Sequence, residues 1–375
     1  EESADPYGTA DVIYTSGTTG MPKGVIVAHD MLLRTAYASA YTRAFQPGRR
    51  ILFALPLYHV FGYVEATLAV LFAGGAVLPQ LQFDAAETLA AIEGHRIDEA
   101  MFVPTMTLAV LEEAQRRSYD LSSLNACFSS GGQSPVRIWQ QLFDVLGVEE
   151  VFTAYGMTET TASTTCTRPG DPLELLATTH GRYKPAGVAG DPSLGGHLAE
   201  YKAIDPETGA DLGFGTAGEL VARGPIVTSG YYNKQAETAA AFVDGWFRTG
   251  DLGRVDADGT VTLTGRLKEM YKCGGELVVP KEVEDVLTAH PVVAQAHLVG
   301  IPDERMGEVG CACIILGEGE MVDAAQLIDY CAERLARFKV PRHVLFIDAK
   351  ELPTSATGKV QKFALVKWAM AGLEE

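Results

Sequence analysis

Apolar residues change their spacing several times along the chain, and each change marks an element. Residues 11–14 are a short run entering a polar loop, and Val25-Ile26-Val27 is a β-branched run leaving it, so the two read as strands. Asp30 stands where a helix N-cap belongs, and Leu33, Ala36, Tyr37, Ala40 and Tyr41 follow at the i, i+3, i+4, i+7, i+8 spacing of a helix face. Residues 51–56 form a strand, after which a helix runs to Phe72 and Gly74-Gly75 ends it. From residue 85 to 148 helix and strand alternate, with helix at 86–94, strand at 99–103, helix at 105–115, strand at 126–130 and a helix to Leu146. Such alternation predicts βαβ units and a mostly parallel sheet covered by helices.

The second half reads differently. Residues 181–230 are rich in Gly and Pro with short alternating runs at 200–204 and 218–223, which predicts an antiparallel, barrel-like region reaching to 267. Asp256-Ala257-Asp258-Gly259 is a hairpin turn. Beyond it, a helix at 280–289, strands at 294–300 and 309–316, and an amphipathic helix at 324–338 with Leu327, Ile328, Cys331 and Leu335 on one face predict a small α+β domain. The expected class is therefore α/β: a large N-terminal domain with mostly parallel sheets and a small barrel-like region, then a small C-terminal α+β domain.

Composition narrows the picture. A chain of 375 residues with 47% hydrophobic residues supports two or three domains with full cores. A net charge of −18 argues against a nucleic-acid partner or an anionic membrane surface. The six cysteines are scattered, and Cys311 and Cys313 lie in an alternating run without nearby histidines, so they read as reduced core or surface thiols of a reducing, cytoplasmic compartment. The longest apolar run, residues 66–78, is too short and too interrupted by glycine to be transmembrane.

Chemistry concentrates in a few strings. Tyr14-Thr15-Ser16-Gly17-Thr18-Thr19-Gly20-Met21-Pro22-Lys23-Gly24 puts four Ser/Thr hydroxyls, three glycines and one lysine within eleven residues, so N–H, O–H and ammonium donors converge where an anion can approach backbone. A Walker A loop would open into a helix after the lysine; here a strand follows. Thr153-Ala154-Tyr155-Gly156-Met157-Thr158-Glu159 ends a strand at Tyr155, which could stack on a base, with Thr158 to bond a phosphate and Glu159 to hold Mg²⁺; the plainer reading is a capped helix start. Asp251, flanked by Gly250 and Gly253, could accept two ribose hydroxyls or form an Asx-turn. Gly131-Gly132-Gln133 lies at a strand-to-helix crossing where a flat ring could meet backbone. His59 lies at the mouth of a strand among aromatics. Lys359 sits in Pro353-Thr354-Ser355-Ala356-Thr357-Gly358-Lys359, where a lone loop lysine is ordinarily a solvated charge.

In this order and spacing the strings resemble the adenylate-forming superfamily of acyl-CoA synthetases, 4-coumarate-CoA ligases, luciferase and peptide-synthetase adenylation domains, from residue 12 to 362. The resemblance implies an ATP-dependent acid–thiol ligase that makes an acyl-adenylate and passes it to CoA, with ATP, Mg²⁺ and CoA as cofactors. It assigns ATP or AMP to residues 15–20 (Thr15, Ser16, Gly17, Thr18, Thr19, Gly20), to Gly131, Gly132 and Gln133, to Thr153, Ala154, Tyr155, Gly156 and Thr158, and to Asp251 and Arg266. It assigns the metal to Glu159, catalysis to Lys359, His59 and Lys23, and the acyl group to His59, Phe61, Tyr63, Met157 and Lys272. Gly274 and Gly275 would line the path of the CoA thiol arm. Lys268 would be the hinge, dividing a large domain, 1–267, from a C-terminal lid, 268–375.

Full-length members of that superfamily carry a sizeable segment ahead of the phosphate loop, so the resemblance implies that this chain lacks part of the sheet flanking the substrate pocket. Gln80 and Gln82 stand near where plant coumarate ligases have a lysine for CoA. Gly62 follows Phe61 where α-amino acid enzymes have Asp, which points to an aryl or medium aliphatic acid in a mainly apolar pocket. The alternatives are a stand-alone adenylation enzyme that loads the phosphopantetheine of a carrier protein, and a truncated nucleotide-binding module without activity. The resemblance also allows a homodimer.

Overall fold

The computed structural model describes residues 5–15, 22–317, 319–355 and 360–374. The chain divides into two compact units, residues 1–249 with 254–263, and residues 250–253 with 264–375.

In the first unit, β1 (Thr9–Thr15) and β2 (Lys23–Ala28) form an antiparallel hairpin whose last pair is Thr15 opposite Lys23. The helix that follows spans His29–Thr42. Its start differs from the sequence reading: Ala28, not Asp30, occupies the cap position, because the N–H groups of His29 and Asp30 bond to the carbonyls of Gly8 and Pro6 and no side-chain cap is needed. Asp30 instead pairs with Arg34 one turn on. The buried face is also rotated, running through Met31, Leu32, Thr35, Ala36 and Ser39, while Leu33 and Tyr41 are exposed.

β3 (Arg50–Phe53), β4 (Ala76–Pro79), β5 (Glu99–Phe102), β6 (Ala126–Ser129) and β7 (Glu150–Phe152) make a sheet in the order β4-β3-β5-β6-β7, parallel throughout. Helices Ala85–His95, Pro104–Arg116 and Val136–Leu146 connect them, with Leu89, Ile92, Val110, Trp139 and Leu142 buried on one core. The predicted helix ahead of Phe72 begins as a π-helix over Phe61–Leu68, in which the Thr67 hydroxyl bonds the Gly62 carbonyl five residues back.

After β7 the chain leaves the parallel sheet. β8 (Ala154–Met157), β9 (Ala162–Cys166) and β10 (Arg182–Tyr183) form a separate sheet in the order β10-β9-β8. The strand expected to end at Tyr155 thus breaks at Thr153 and resumes to Met157. β11 (Glu200–Ile204), β12 (Gly218–Arg223), β13 (Phe242–Val243), β14 (Trp246–Val255) and β15 (Val261–Arg266) share a five-stranded sheet, ordered β11-β12-β14-β13 with β15 on β14.

The second unit holds β16 (Tyr271–Cys273), β17 (Glu276–Val278), β18 (Val293–Asp303), β19 (Gly307–Leu316) and β20 (His343–Phe346), ordered β17-β16-β19-β18 with β20 parallel to β19. Helices Pro280–Thr288, Ala324–Ala332 and Lys362–Glu374 accompany it. The amphipathic helix stops at Ala332, short of 338: Ala336 turns extended, and Val340, held extended before Pro341, cannot continue a helix. All six cysteines are free and buried, so none is a surface thiol. Burial pushes the Cys166 thiol up to about 12 and Cys331 to about 11, which makes them core packing groups rather than nucleophiles.

Candidate active site

The base of the first loop is described; Ser16, Gly17, Thr18, Thr19 and Gly20 lie outside the described residues. Thr15 closes β1, and Lys23 opens β2 with its ammonium 4.5 Å from the centroid of the Tyr231 ring. Residues 230–232 run beside β2: Val25 bridges Tyr231, the Ile26 N–H donates to the Gly230 carbonyl at 3.1 Å, and the Tyr232 N–H to that of Gly24 at 2.7 Å. The Tyr231 hydroxyl then donates to Glu159 Oε1 at 3.0 Å. One tyrosine thereby joins the two motifs, with Tyr231 8% and Glu159 7% exposed. Burial, and then the Glu159 charge, push the Tyr231 phenol well above its ordinary range, so it stays a donor.

Thr158 and Glu159 lie in a single 3₁₀ turn, Thr158–Thr160, reached through Gly156. Only glycine fits there, because a Cβ at 156 would stand 1.9 Å from the Ala162 carbonyl oxygen. Thr161 follows at φ 56°, a left-handed conformation that a β-branched residue rarely adopts, and its hydroxyl is tied to the Ile226 carbonyl at 2.8 Å. Thr153 and Ala154 are buried at the sheet break, and the Thr153 N–H donates to the Thr167 hydroxyl. The Tyr155 ring is buried against Tyr201, 5.6 Å between centroids, and edge-on to His180.

Gly131, at φ 93°, and Gly132 leave the C-terminal end of β6, where Ser130 bonds the Ala154 carbonyl. Gln133 turns its amide N–H to the Ala177 carbonyl, and its buried Oε1 has no hydrogen-bond partner among the described residues. His59 is half-buried, its Nδ1 accepting from the Phe61 N–H at 3.2 Å. The four acyl candidates of this unit are divided: Phe61 packs edge-on against Phe128 at 5.2 Å, whereas Tyr63 and Met157 pack on the neighbouring core of Val60 and Val64. The Tyr63 hydroxyl donates to Asp11 at 3.2 Å, and a cleft of about 620 Å³ lies along Asp11–Tyr14, Leu57, Tyr58 and Tyr63. Gln80 accepts from Thr88 at 2.8 Å, while Gln82 is exposed.

In the second unit Asp251, 3% exposed, is not in an Asx-turn but inside β14, paired with Arg266 Nε at 3.1 Å. Lys268 lies in the 3₁₀ turn Leu267–Glu269. Lys272 is exposed on β16, and Gly274 and Gly275, at φ 61° and 90°, form the two-residue turn to β17 that demands positive φ at both positions. Lys359 lies outside the described residues.

The fold puts to use four polar residues to which the sequence reading gave no part in the site, Tyr231, Glu65, Lys184 and Lys362. Glu65 carried the available signal, as the one charge in the apolar run from Val60 to Phe72. It accepts from Lys184 at 2.9 Å and from the Ser163 N–H at 2.9 Å, fastening the π-helix to β9. Among the described residues no group of three or more His, Cys, Asp or Glu could cage a metal. A lone carboxylate such as Glu159 fits Mg²⁺, which takes one or two protein carboxylates and completes its shell with phosphate oxygens and water.

Comparison with known proteins places the chain in a family. The model of the AMP-binding enzyme family matches residues 1–232, and that of the AMP-binding enzyme C-terminal domain matches residues 282–359. The chain belongs to the AMP-binding enzyme family. It is 38% identical over 358 residues to the 3-[(3aS,4S,7aS)-7a-methyl-1,5-dioxo-octahydro-1H-inden-4-yl]propanoyl:CoA ligase of Mycobacterium tuberculosis, covering 95% of this chain and 66% of that protein. It is 36% identical to the putative acyl-CoA synthetase YngI of Bacillus subtilis, covering 97% and 64%. The structure of o-succinylbenzoate CoA synthetase from Bacillus subtilis, in complex with ATP and magnesium ion, superposes with a TM-score of 0.79 at 32% identity over 96% of this chain and 70% of that one. The chain thus spans about two thirds of the length of the curated relatives it matches.

Proposed function

We propose that the chain activates a carboxylic acid with ATP and transfers the acyl group to CoA. The supporting observation is that the lysine at the base of the phosphate loop and the carboxylate of the second motif converge on Tyr231 in a chain of this family. The acid's carboxylate oxygen attacks the α-phosphorus, the bond to pyrophosphate breaks, and an acyl-adenylate forms; a thiol then attacks the acyl carbon and AMP leaves. Two anions must approach in the first step, so donors aimed at the developing charge supply most of the assistance. Lys23, the N–H groups of residues 15–20 and Lys359 serve the phosphates, Thr158 a phosphate oxygen, and Asp251 with Arg266 the ribose. Mg²⁺, held by Glu159, would neutralise phosphate charge.

Gly131, Gly132 and Gln133, with Thr153, Ala154, Tyr155 and Gly156, border the base, and the orphaned Gln133 Oε1 is an acceptor suited to an exocyclic amine. His59, Phe61, Tyr63, Met157 and Lys272 take the acyl group, Gly274 and Gly275 leave room for the thiol arm, and Lys268 is the pivot for residues 268–375 between half-reactions. The acid is an aryl or medium aliphatic one, and the setting is cytoplasmic. The test is acid-dependent pyrophosphate release across a panel of acids, with and without CoA, in the chain and in Lys359→Ala. Release that requires acid, falls at least about a hundredfold in the variant and yields a CoA thioester is expected; ATP binding without release from any acid would sink the proposal.

A further inference from the structure

Resting on the reading just given, we propose that Tyr231 is a positioning residue that sets the Glu159 carboxylate and the Lys23 ammonium at the spacing required by a Mg²⁺-bound triphosphate. The segment carrying it is fastened on several sides. Its neighbours pair with β2 through Gly24 and Ile26, and its own N–H donates to the Thr238 hydroxyl at 2.9 Å. Gly230, at φ 143°, lies so close to Thr238 that a Cβ there would stand 2.4 Å from the Thr238 methyl. Thr228 bonds both sides of the junction, its N–H to the Glu159 carbonyl at 2.8 Å and its hydroxyl to the Ile26 carbonyl at 2.7 Å.

The tyrosine therefore cannot move independently of the hairpin or of the 3₁₀ turn, and its two contacts act on opposite charges. The hydroxyl fixes one oxygen of the carboxylate, the kind of outer-shell bond whose loss costs about 10- to 100-fold in metal affinity. The ring face holds the ammonium at 4.5 Å, keeping a flexible lysine beside the loop it must serve.

The test is ATP binding by calorimetry on the full chain, titrated with Mg²⁺ and repeated in chelator. Tyr231→Phe keeps the ring and removes the O–H: the Mg²⁺ concentration for half-maximal binding should rise about tenfold while Mg²⁺-free ATP affinity stays unchanged. Tyr231→Leu should in addition lose a few-fold of the Mg²⁺-free affinity. In a Glu159→Gln background Tyr231→Phe should shift nothing further, a non-additivity that general loss of packing would not produce. Thr238→Val, which loosens the tyrosine from behind, should move the Mg²⁺ midpoint in the same direction. An unmoved midpoint in Tyr231→Phe, or an equal shift in the Glu159→Gln background, overturns the inference. Absence of Mg²⁺-dependent ATP binding in the unaltered chain overturns the functional reading beneath it.

Discussion

The two units each contain an ionic cluster, and the two clusters are built differently. In the first unit Arg43, Glu65, Glu99 and Lys184 are each no more than 2% exposed, joined by Arg49 at the edge. Arg43 reaches Glu99 and the backbone carbonyl of Glu65, Arg49 reaches Glu99 at 2.8 Å, and Lys184 reaches Glu65 and Ser39. In the second unit Lys362 binds Glu284 at 2.7 Å and Glu269 at 2.9 Å, with side chains 17–28% exposed. Water can replace a lost partner in the second cluster but not in the first. The interior charges are therefore an all-or-none assembly, whereas the outer ones are a local fastening at the foot of the helix Lys362–Glu374.

The largest effect should follow from Lys184→Met, which takes from the buried Glu65 its closest cation and leaves Arg43 and Ser163 as its remaining partners. We expect a loss of about 3–5 kcal/mol in denaturant unfolding, and a loss below about 1 kcal/mol would break the contrast. Burial raises the Glu65 pKa, but Lys184, Arg43 and the Ser163 hydroxyl outweigh it and hold the group below its ordinary value. A depressed folded pKa contributes stability above the unfolded value of about 4.3 and loses it as pH falls through the folded one, so Glu65→Gln should flatten the acid limb of the stability profile.

Lys362→Met should cost about 2 kcal/mol. Burial lowers the pKa of this lysine, while Glu284 and Glu269 more than restore it, leaving it raised. Its contribution is full below about 10.4 and declines as pH rises through the folded value, so wild type and variant should converge at high pH. Smallest of all should be Glu200→Gln, which removes a cross-strand pair with Arg223 whose side chains are 31% and 53% exposed. A change above about 1 kcal/mol there would show that exposure does not order these clusters.

The contrast also explains what could be read from the sequence. The parallel sheet was legible because its strands are short apolar runs separated by helical periods, and the motif order was legible because each string is contiguous. Glu65 acts with partners 22 to 119 residues away and the Tyr231 hydroxyl with one 72 residues away, and nothing local to Glu65, Lys184 or Tyr231 announces those partners. Asp30 had the composition of a cap, but the carbonyls of Pro6 and Gly8 had already taken the N–H groups a cap would serve. Of the acyl candidates, His59, Phe61 and Tyr63 lie within one short string, yet Phe61 and Tyr63, two residues apart and so on different faces of the helical turn, pack on different cores, while Met157 at the end of β8 and Lys272 on β16 come from elsewhere in the chain.

The late arrival of the segment 230–232 beside β2 has a consequence for biosynthesis. The bond from Thr228 to Ile26 spans 202 residues, so β2 emerges from the ribosome long before its neighbour exists. At about 5–20 residues per second the hairpin waits roughly 10–40 s with one edge unpaired. During that interval a chaperone or another chain has access to that edge.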